Sequence, residues 1–325
     1  MLKILSMSEG LQALLNRKLL IVAGKGGTGR SSMSACLALV GASRGKKVLL
    51  LDARSGSYEA SRILSGRKLG SHPEHIGKNM WAAAMMPRDA LREYVTLKFK
   101  FDFIFRHGFD SAFARSFLNA IPGLDDLLLL GKVLNHVRER EPGSRRRRFD
   151  LVILDGPATG HGITFIKLPE IILDAVFKGP LKKEAAWMQA ILQDPVATSI
   201  ILVSLAEELP ARETVQLYEA IRTQTRVKPL ALFFNRVLSR PLPRSLEPLF
   251  HTAERCASRG SRSLRHAIEA WRWTLDARRR QRREINRLKS MVNLVTFELP
   301  ELGHPVQGQD DLIILTRHLQ SGRGA

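Results

Sequence analysis

Residues 21–32 read Ile-Val-Ala-Gly-Lys-Gly-Gly-Thr-Gly-Arg-Ser-Ser, and this stretch restricts the possible folds more than any other part of the chain. Its spacing follows Gly-x-x-x-x-Gly-Lys-Ser/Thr, the loop that cradles nucleotide phosphates on backbone N–H groups at a helix N-terminus. Gly24 and Gly29 hold the two glycine positions, Ser31 holds the position of the magnesium-binding hydroxyl, and Arg30 stands where the pattern has lysine. A second lysine, Lys25, follows the first glycine. The flanks suit such a loop. Leu19–Val22 is a short apolar run of the kind found in buried parallel strands, and Ser34, Ala35, Ala38, Leu39 and Ala42 have helical spacing. Glycines also serve ordinary turns, so the other reading is a tight strand-to-helix turn without a ligand.

Two further apolar runs, Lys47–Asp52 and Leu151–Asp155, are predicted strands, and each ends in a carboxylate. Ligands in open α/β sheets bind at the carboxyl ends of the strands, so Asp52 and Asp155 are expected to face the phosphate site. Acids there suit magnesium and the orienting of an attacking water, although an Asp after a strand also serves as a helix cap or turn residue. Ser199–Val203 is a fourth expected strand, followed by Glu207, Glu208, Pro210 and a helix carrying Glu213, Leu217 and Tyr218. A fifth, Pro229–Phe234, is expected to end at Asn235-Arg236. Asn235 suits turn chemistry there, or it could read the edge of a purine, because an amide offers both a donor and an acceptor. Strand, loop and helix in alternation imply a doubly wound, mostly parallel α/β sheet flanked by helices.

Taken in order, these residues carry a resemblance. Gly24-Lys25-Gly26-Gly27-Thr28-Gly29-Arg30-Ser31, Asp52, Asp155-Gly-Pro-Ala-Thr-Gly-His161, Ala-Glu-Glu-Leu-Pro-x-x-Glu-Thr at 206–214 and Phe-Asn235-Arg are similar to the arsenical-pump ATPase family. That family also contains the targeting ATPases for tail-anchored membrane proteins and is related to the septum-site and chromosome-partitioning ATPases. The likeness runs from about residue 15 to 310, and the block Asp-x-Pro-x-Thr-Gly-His is its most specific part. It implies a phosphate-loop ATPase that binds ATP or ADP with Mg2+ and acts as a dimer. Gly24, Gly26, Gly27, Thr28, Gly29, Arg30, Ser31 and Ser32 would hold the phosphates. Lys25 would reach the partner's nucleotide, Ser31 would ligate magnesium, and Asp52 in the first switch would position water. Asp155 would begin the second switch and Asn235 would contact adenine; Ser31, Asp52 and Asp155 together form the expected metal set.

Three departures bear on catalysis. Arg30 keeps the lysine's charge on a larger planar fork, which is not a conservative change at a phosphate site. The first switch reads Asp52-Ala53-Arg54-Ser55, where the family has Asp-Pro-Ala-His. No Cys-x-x-Cys pair is present, so the zinc clamp of the eukaryotic targeting ATPases is not expected. Two partnerships therefore stand open: a homodimeric switch, or a weakly hydrolysing subunit paired with an active paralogue. No cysteine cluster offers the thiolates an arsenite site would want.

The chain of 325 residues, 44% hydrophobic, is expected to form one large domain (1–325). A helical insertion is expected at 80–140, where Leu91, Phe99, Phe117 and Leu124–Leu130 form apolar stripes. Such stripes serve core packing, a subunit interface or a groove for a hydrophobic client. Cys36 and Cys256 are the only cysteines and give no disulfide framework, which suits a reducing cytoplasm. Neither a signal peptide nor a membrane span is expected. The net charge is +20. Residues 254–290 hold 12 Lys/Arg against 4 Asp/Glu on an expected basic helix with an inner stripe of Ile268, Trp271 and Leu275. Such a run is a solvated helix face or a contact for anionic lipid, nucleic acid or an acidic protein, the lipid reading implying peripheral attachment at the inner face of a membrane. Nucleic acid ranks low, since no nucleic-acid motif accompanies the charge.

Overall fold

Short apolar segments separated by helices fold here into one sheet. The computed structural model describes residues 7–53, 58–85, 124–156, 159–175, 178–239, 247–256 and 262–321. Among them the strands are β1 (Leu19–Gly24), β2 (Val48–Asp52), β3 (Glu74–Gly77), β4 (Met80–Ala84), β5 (Leu151–Asp155), β6 (Thr198–Leu205), β7 (Pro229–Val237) and β8 (Val295–Pro300). They lie in the order β3-β4-β2-β5-β1-β6-β7-β8. Every neighbouring pair is parallel except β3–β4. The helices are α1 (Met7–Leu15), α2 (Arg30–Ser43), α3 (Glu59–Ser65), α4 (Leu124–Arg138), α5 (Thr159–Ala175), α6 (Pro180–Gln193), α7 (Glu208–Gln224), α8 (Glu247–Cys256), α9 (Arg262–Met291) and α10 (Gln309–Ser321).

Alternate strand residues feed two apolar cores, as period-two geometry requires. Leu20, Val22, Leu50 and Ile153 pack with α1, α2 and α10 through Leu14, Leu37 and Leu315. Ile21, Leu51, Leu154 and Leu202 pack on the other side with Val133, Phe165, Met188, Leu217 and Ile285 of α4, α5, α6, α7 and α9. The expected doubly wound, mostly parallel sheet is therefore the observed one.

Two elements differ from the sequence reading. Met80–Ala84 is a strand, not the start of a helical insertion: its alanines favour helix in isolation, yet pairing with β2 and burial of Ala82, Ala83 and Ala84 decide otherwise. Within the expected insertion, α4 is helical and residues 86–123 lie outside the described residues. β7 does not stop at Asn235 but continues to Val237, with irregular pairing to β8 where Arg236 takes φ 55°. Arg54 and Ser55 also lie outside the described residues. No helix among the described residues is long and apolar enough to cross a membrane.

β8 is joined to β7 by Phe233 and Phe297, fully buried and stacked with ring centroids 4.5 Å apart. Phe297→Ala should lower the free energy of unfolding by about 3–5 kcal/mol, the usual cost of removing a buried phenyl ring. Denaturant titration checks this; a loss below about 1 kcal/mol would mean that the β7–β8 edge yields without cost to the core.

Candidate active site

The site begins with the turn that β1 makes into α2. A Cβ on Gly24 would lie 2.4 Å from the carbonyl oxygen of Val203 on β6, so only glycine allows the loop to leave the sheet here. Gly29 takes φ 92° immediately before α2, and a Cβ there would sit 2.0 Å from Asn235 Nδ2. That amide donates to the Thr28 carbonyl at 3.0 Å and so fastens the loop to β7. Asn235, expected at the base end, is thus buried against the loop backbone.

The register of the central strands aligns the acids. Val22 of β1, Asp155 of β5 and Asp52 of β2 occupy one rung. Ser31, on the first turn of α2, donates its Oγ hydrogen to Asp155 Oδ2 at 2.6 Å. Asp52 is wholly buried, and its Oδ2 accepts from the backbone N–H and hydroxyl of Ser61 on α3, at 2.9 and 2.6 Å. Its Oδ1 has no hydrogen-bond partner among the described residues. Burial pushes the Asp52 carboxyl up to about 6; hydrogen bonding from Ser61 opposes this and the neighbouring Asp155 charge adds to it. A hydroxyl beside two carboxylates, one with an unsatisfied oxygen, is a donor set that fits a hard divalent cation.

Arg30 is buried, and its Nη1 donates to the carbonyl of Gly156 at 2.7 Å, directly after β5. The guanidinium therefore bridges the loop to the strand end from which the second switch would start. Lys25 points elsewhere: its Nζ meets Glu213 Oε1 of α7 at 2.6 Å, with half of the lysine side chain exposed.

A cleft of about 580 Å³ opens over this floor, lined by Gly27, Gly29, Arg30, Ser31 and Ser32 of the loop, by Glu59 and Arg62 of α3, and by Arg236 and residues 305–307. Lys25, Asp52, Asp155 and Asn235 are not among its lining residues; the two acids lie beneath its floor. Sequence reasoning missed Glu59, Ser61, Arg62, Arg236 and residues 305–307. Glu213 was visible on a helix but without a role. Only Arg236 carried a signal, as the neighbour of Asn235. Behind the cleft, Gln281 of α9 accepts from the Leu238 N–H at 2.8 Å and donates to the Arg236 carbonyl at 3.0 Å.

Comparison with known proteins places this geometry among its relatives. Residues 17–186 match the family described as anion-transporting ATPase. The chain is 30% identical over 236 residues to ATPase BagA of Mycobacterium tuberculosis, covering 71% of this chain and 67% of that protein. It is 22% identical over 266 residues to ATPase GET3 of Mycosarcoma maydis, covering 70% and 76% of the two. It is 28% identical over 179 residues to an ATPase ASNA1 homolog of Babesia bovis, covering 52% and 45%.

Asp52 makes stability depend on pH. Its folded value near 6 lies above the ordinary 3.8, so the native state holds the proton more tightly than the unfolded chain does. Stability should therefore fall as pH rises from about 4 to about 6, by up to roughly 3 kcal/mol. Measured without magnesium or nucleotide, Asp52→Asn should flatten the pH profile in that window. An unchanged slope would show that Asp52 titrates as an ordinary carboxylate.

Proposed function

Because the chain belongs to the anion-transporting ATPase family, we propose that it is a magnesium-dependent ATP-binding switch that works as a dimer. Its nucleotide state would pass to a protein client or a cell-envelope partner on the cytoplasmic side. The observation that carries this reading is the contact of Ser31 Oγ with Asp155 Oδ2 at 2.6 Å beneath a glycine-lined cleft, with buried Asp52 on the same rung.

Backbone N–H groups of Gly26–Ser32 would bind the phosphates of ATP or ADP at the positive end of α2. Ser31 would hold magnesium, with Asp155 and Asp52 supplying the carboxylate oxygens around it. When bound, the ion neutralises charge on the phosphoryl oxygens. Asp52, on the same rung as Asp155, would orient the attacking water. Lys25 would exchange Glu213 for the phosphates of a partner protomer and stabilise charge there. Arg236 and residues 305–307 would form the base end of the site, with Asn235 holding the loop beside it.

One observation favours a second reading. The Arg30 guanidinium is anchored on the Gly156 carbonyl at 2.7 Å, whereas a lysine ammonium would be a compact, mobile charge. On this reading the chain binds nucleotide, hydrolyses it poorly and serves as the regulatory half of a heterodimer with an active paralogue.

ATP binding and turnover by the purified chain, with its mass in solution, separate the two. The homodimeric switch predicts a dimer turning over at about 0.01 per second or faster, slowed at least tenfold in Lys25→Ala with binding retained. The regulatory subunit predicts binding without turnover, restored by Arg30→Lys. Failure of both the native chain and Arg30→Lys to bind ATP would refute both readings.

A further inference from the structure

Both faces of α9 are basic, but they meet different surroundings. On the inner side Ile268, Trp271, Ile285 and Leu288 are buried against the protein. The inward cations are used there. Arg282 and Lys289 reach the two oxygens of buried Glu298 at 2.5 and 3.0 Å, and Arg278 Nε donates to the Leu238 carbonyl at 3.2 Å. These contacts fix the helix on the β7–β8 edge and fix which side faces out.

The outward side carries Arg262, Arg265, Arg272, Arg279, Arg280 and Arg283, all exposed. At 3.6 residues per turn they fall within a wedge of roughly 100° and span about 30 Å of helix. Arg272 pairs with Glu254 and Arg279 with Asp276, at 2.5 and 3.1 Å. Arg262, Arg265, Arg280 and Arg283 have no hydrogen-bond or charge partner among the described residues. Two acids, Glu269 and Asp276, share the wedge, so its charge is strongly positive. At its edge stands Trp273, 67% exposed.

A row of uncompensated arginines held straight by a rigid helix matches a planar array of phosphates. An exposed indole beside it matches the headgroup level of a bilayer, where the ring finds an apolar layer and its N–H stays wet. A nucleic-acid duplex would satisfy the charges but offers no such layer to the ring. We infer that the outer face of α9 is a docking surface for an anionic phospholipid bilayer. The helix lies flat on the headgroups, the arginine row contacts their phosphates, and Trp273 enters the interface. This attachment does not require nucleotide turnover, so it stands or falls separately from the proposed ATPase cycle.

The test is sedimentation of the full chain with phosphatidylcholine vesicles, with and without phosphatidylglycerol, over a range of salt concentrations. Binding should require the anionic lipid and fall steeply as salt rises. Each surface arginine contributes about fivefold at an anionic membrane, so Arg265/Arg280/Arg283→Gln should weaken binding on the order of a hundredfold. Circular dichroism of the variant checks that it folds. Independently, a blue shift of tryptophan emission on adding anionic vesicles should disappear in Trp273→Phe. Three results would overturn the inference: no binding to anionic vesicles at low salt, undiminished binding by a folded triple variant, or binding to duplex DNA without binding to vesicles.

Discussion

The site depends on how β2, β5 and β1 are aligned in the sheet. In β1, β2 and β5, buried on both faces, every position before the strand end is apolar, and the carboxylates stand where β2 and β5 leave the core. Asp52 and Asp155 each end their strand, and the register puts them on one rung beside Val22. The glycine loop then departs from the neighbouring strand two residues later. A slip of one residue would move an acid into the core or away from Ser31. Close approach at Gly24 completes the arrangement, because β1 and β6 lie too near there for any side chain.

Electrostatics follow from that placement. Burial makes ionising Asp52 costly and the neighbouring Asp155 charge adds to that cost, so Asp52 holds its proton more tightly. The cations supplied by the loop diverge. Arg30 turns inward to the end of β5, while Lys25 turns outward to α7. The loop thus keeps one cation fixed within the fold and leaves one half-exposed on a contact that a partner could replace. The same division recurs on α9, where Arg282 and Lys289 turn inward to Glu298 while Arg262, Arg265, Arg280 and Arg283 are exposed on the outer side.

Several features escaped a reading of the sequence because the interactions that create them join distant residues. Glu213 meets Lys25 across 188 positions, and Asn235 meets Thr28 across 207. No local spacing encodes such pairs. Ser61 holds Asp52 from only nine residues away, yet serine on a short helix resembles any other polar residue. β4 was hidden by its alanines, whose helix preference of a few tenths of a kcal/mol per residue is outweighed by strand pairing and burial. Residues 305–307 reach the cleft only because the chain folds back after β8.

The sequence by itself determined the strand–loop–helix at residues 19–43, the carboxylates at the ends of β2 and β5, and the mostly parallel sheet. Each of these rests on local constraints: glycine where no side chain fits, apolar runs that must be buried, and acids that cannot be. Tertiary structure decided which partner each polar group found. Arg30 holds Gly156, Lys25 holds Glu213 and Asn235 holds the loop, because strand order and helix packing bring distant segments within hydrogen-bond reach. It also decided which arginines of α9 face outward. Composition supplies the charge, but the apolar stripe and Glu298 set the rotation of the helix, and so the face that the positive charge presents.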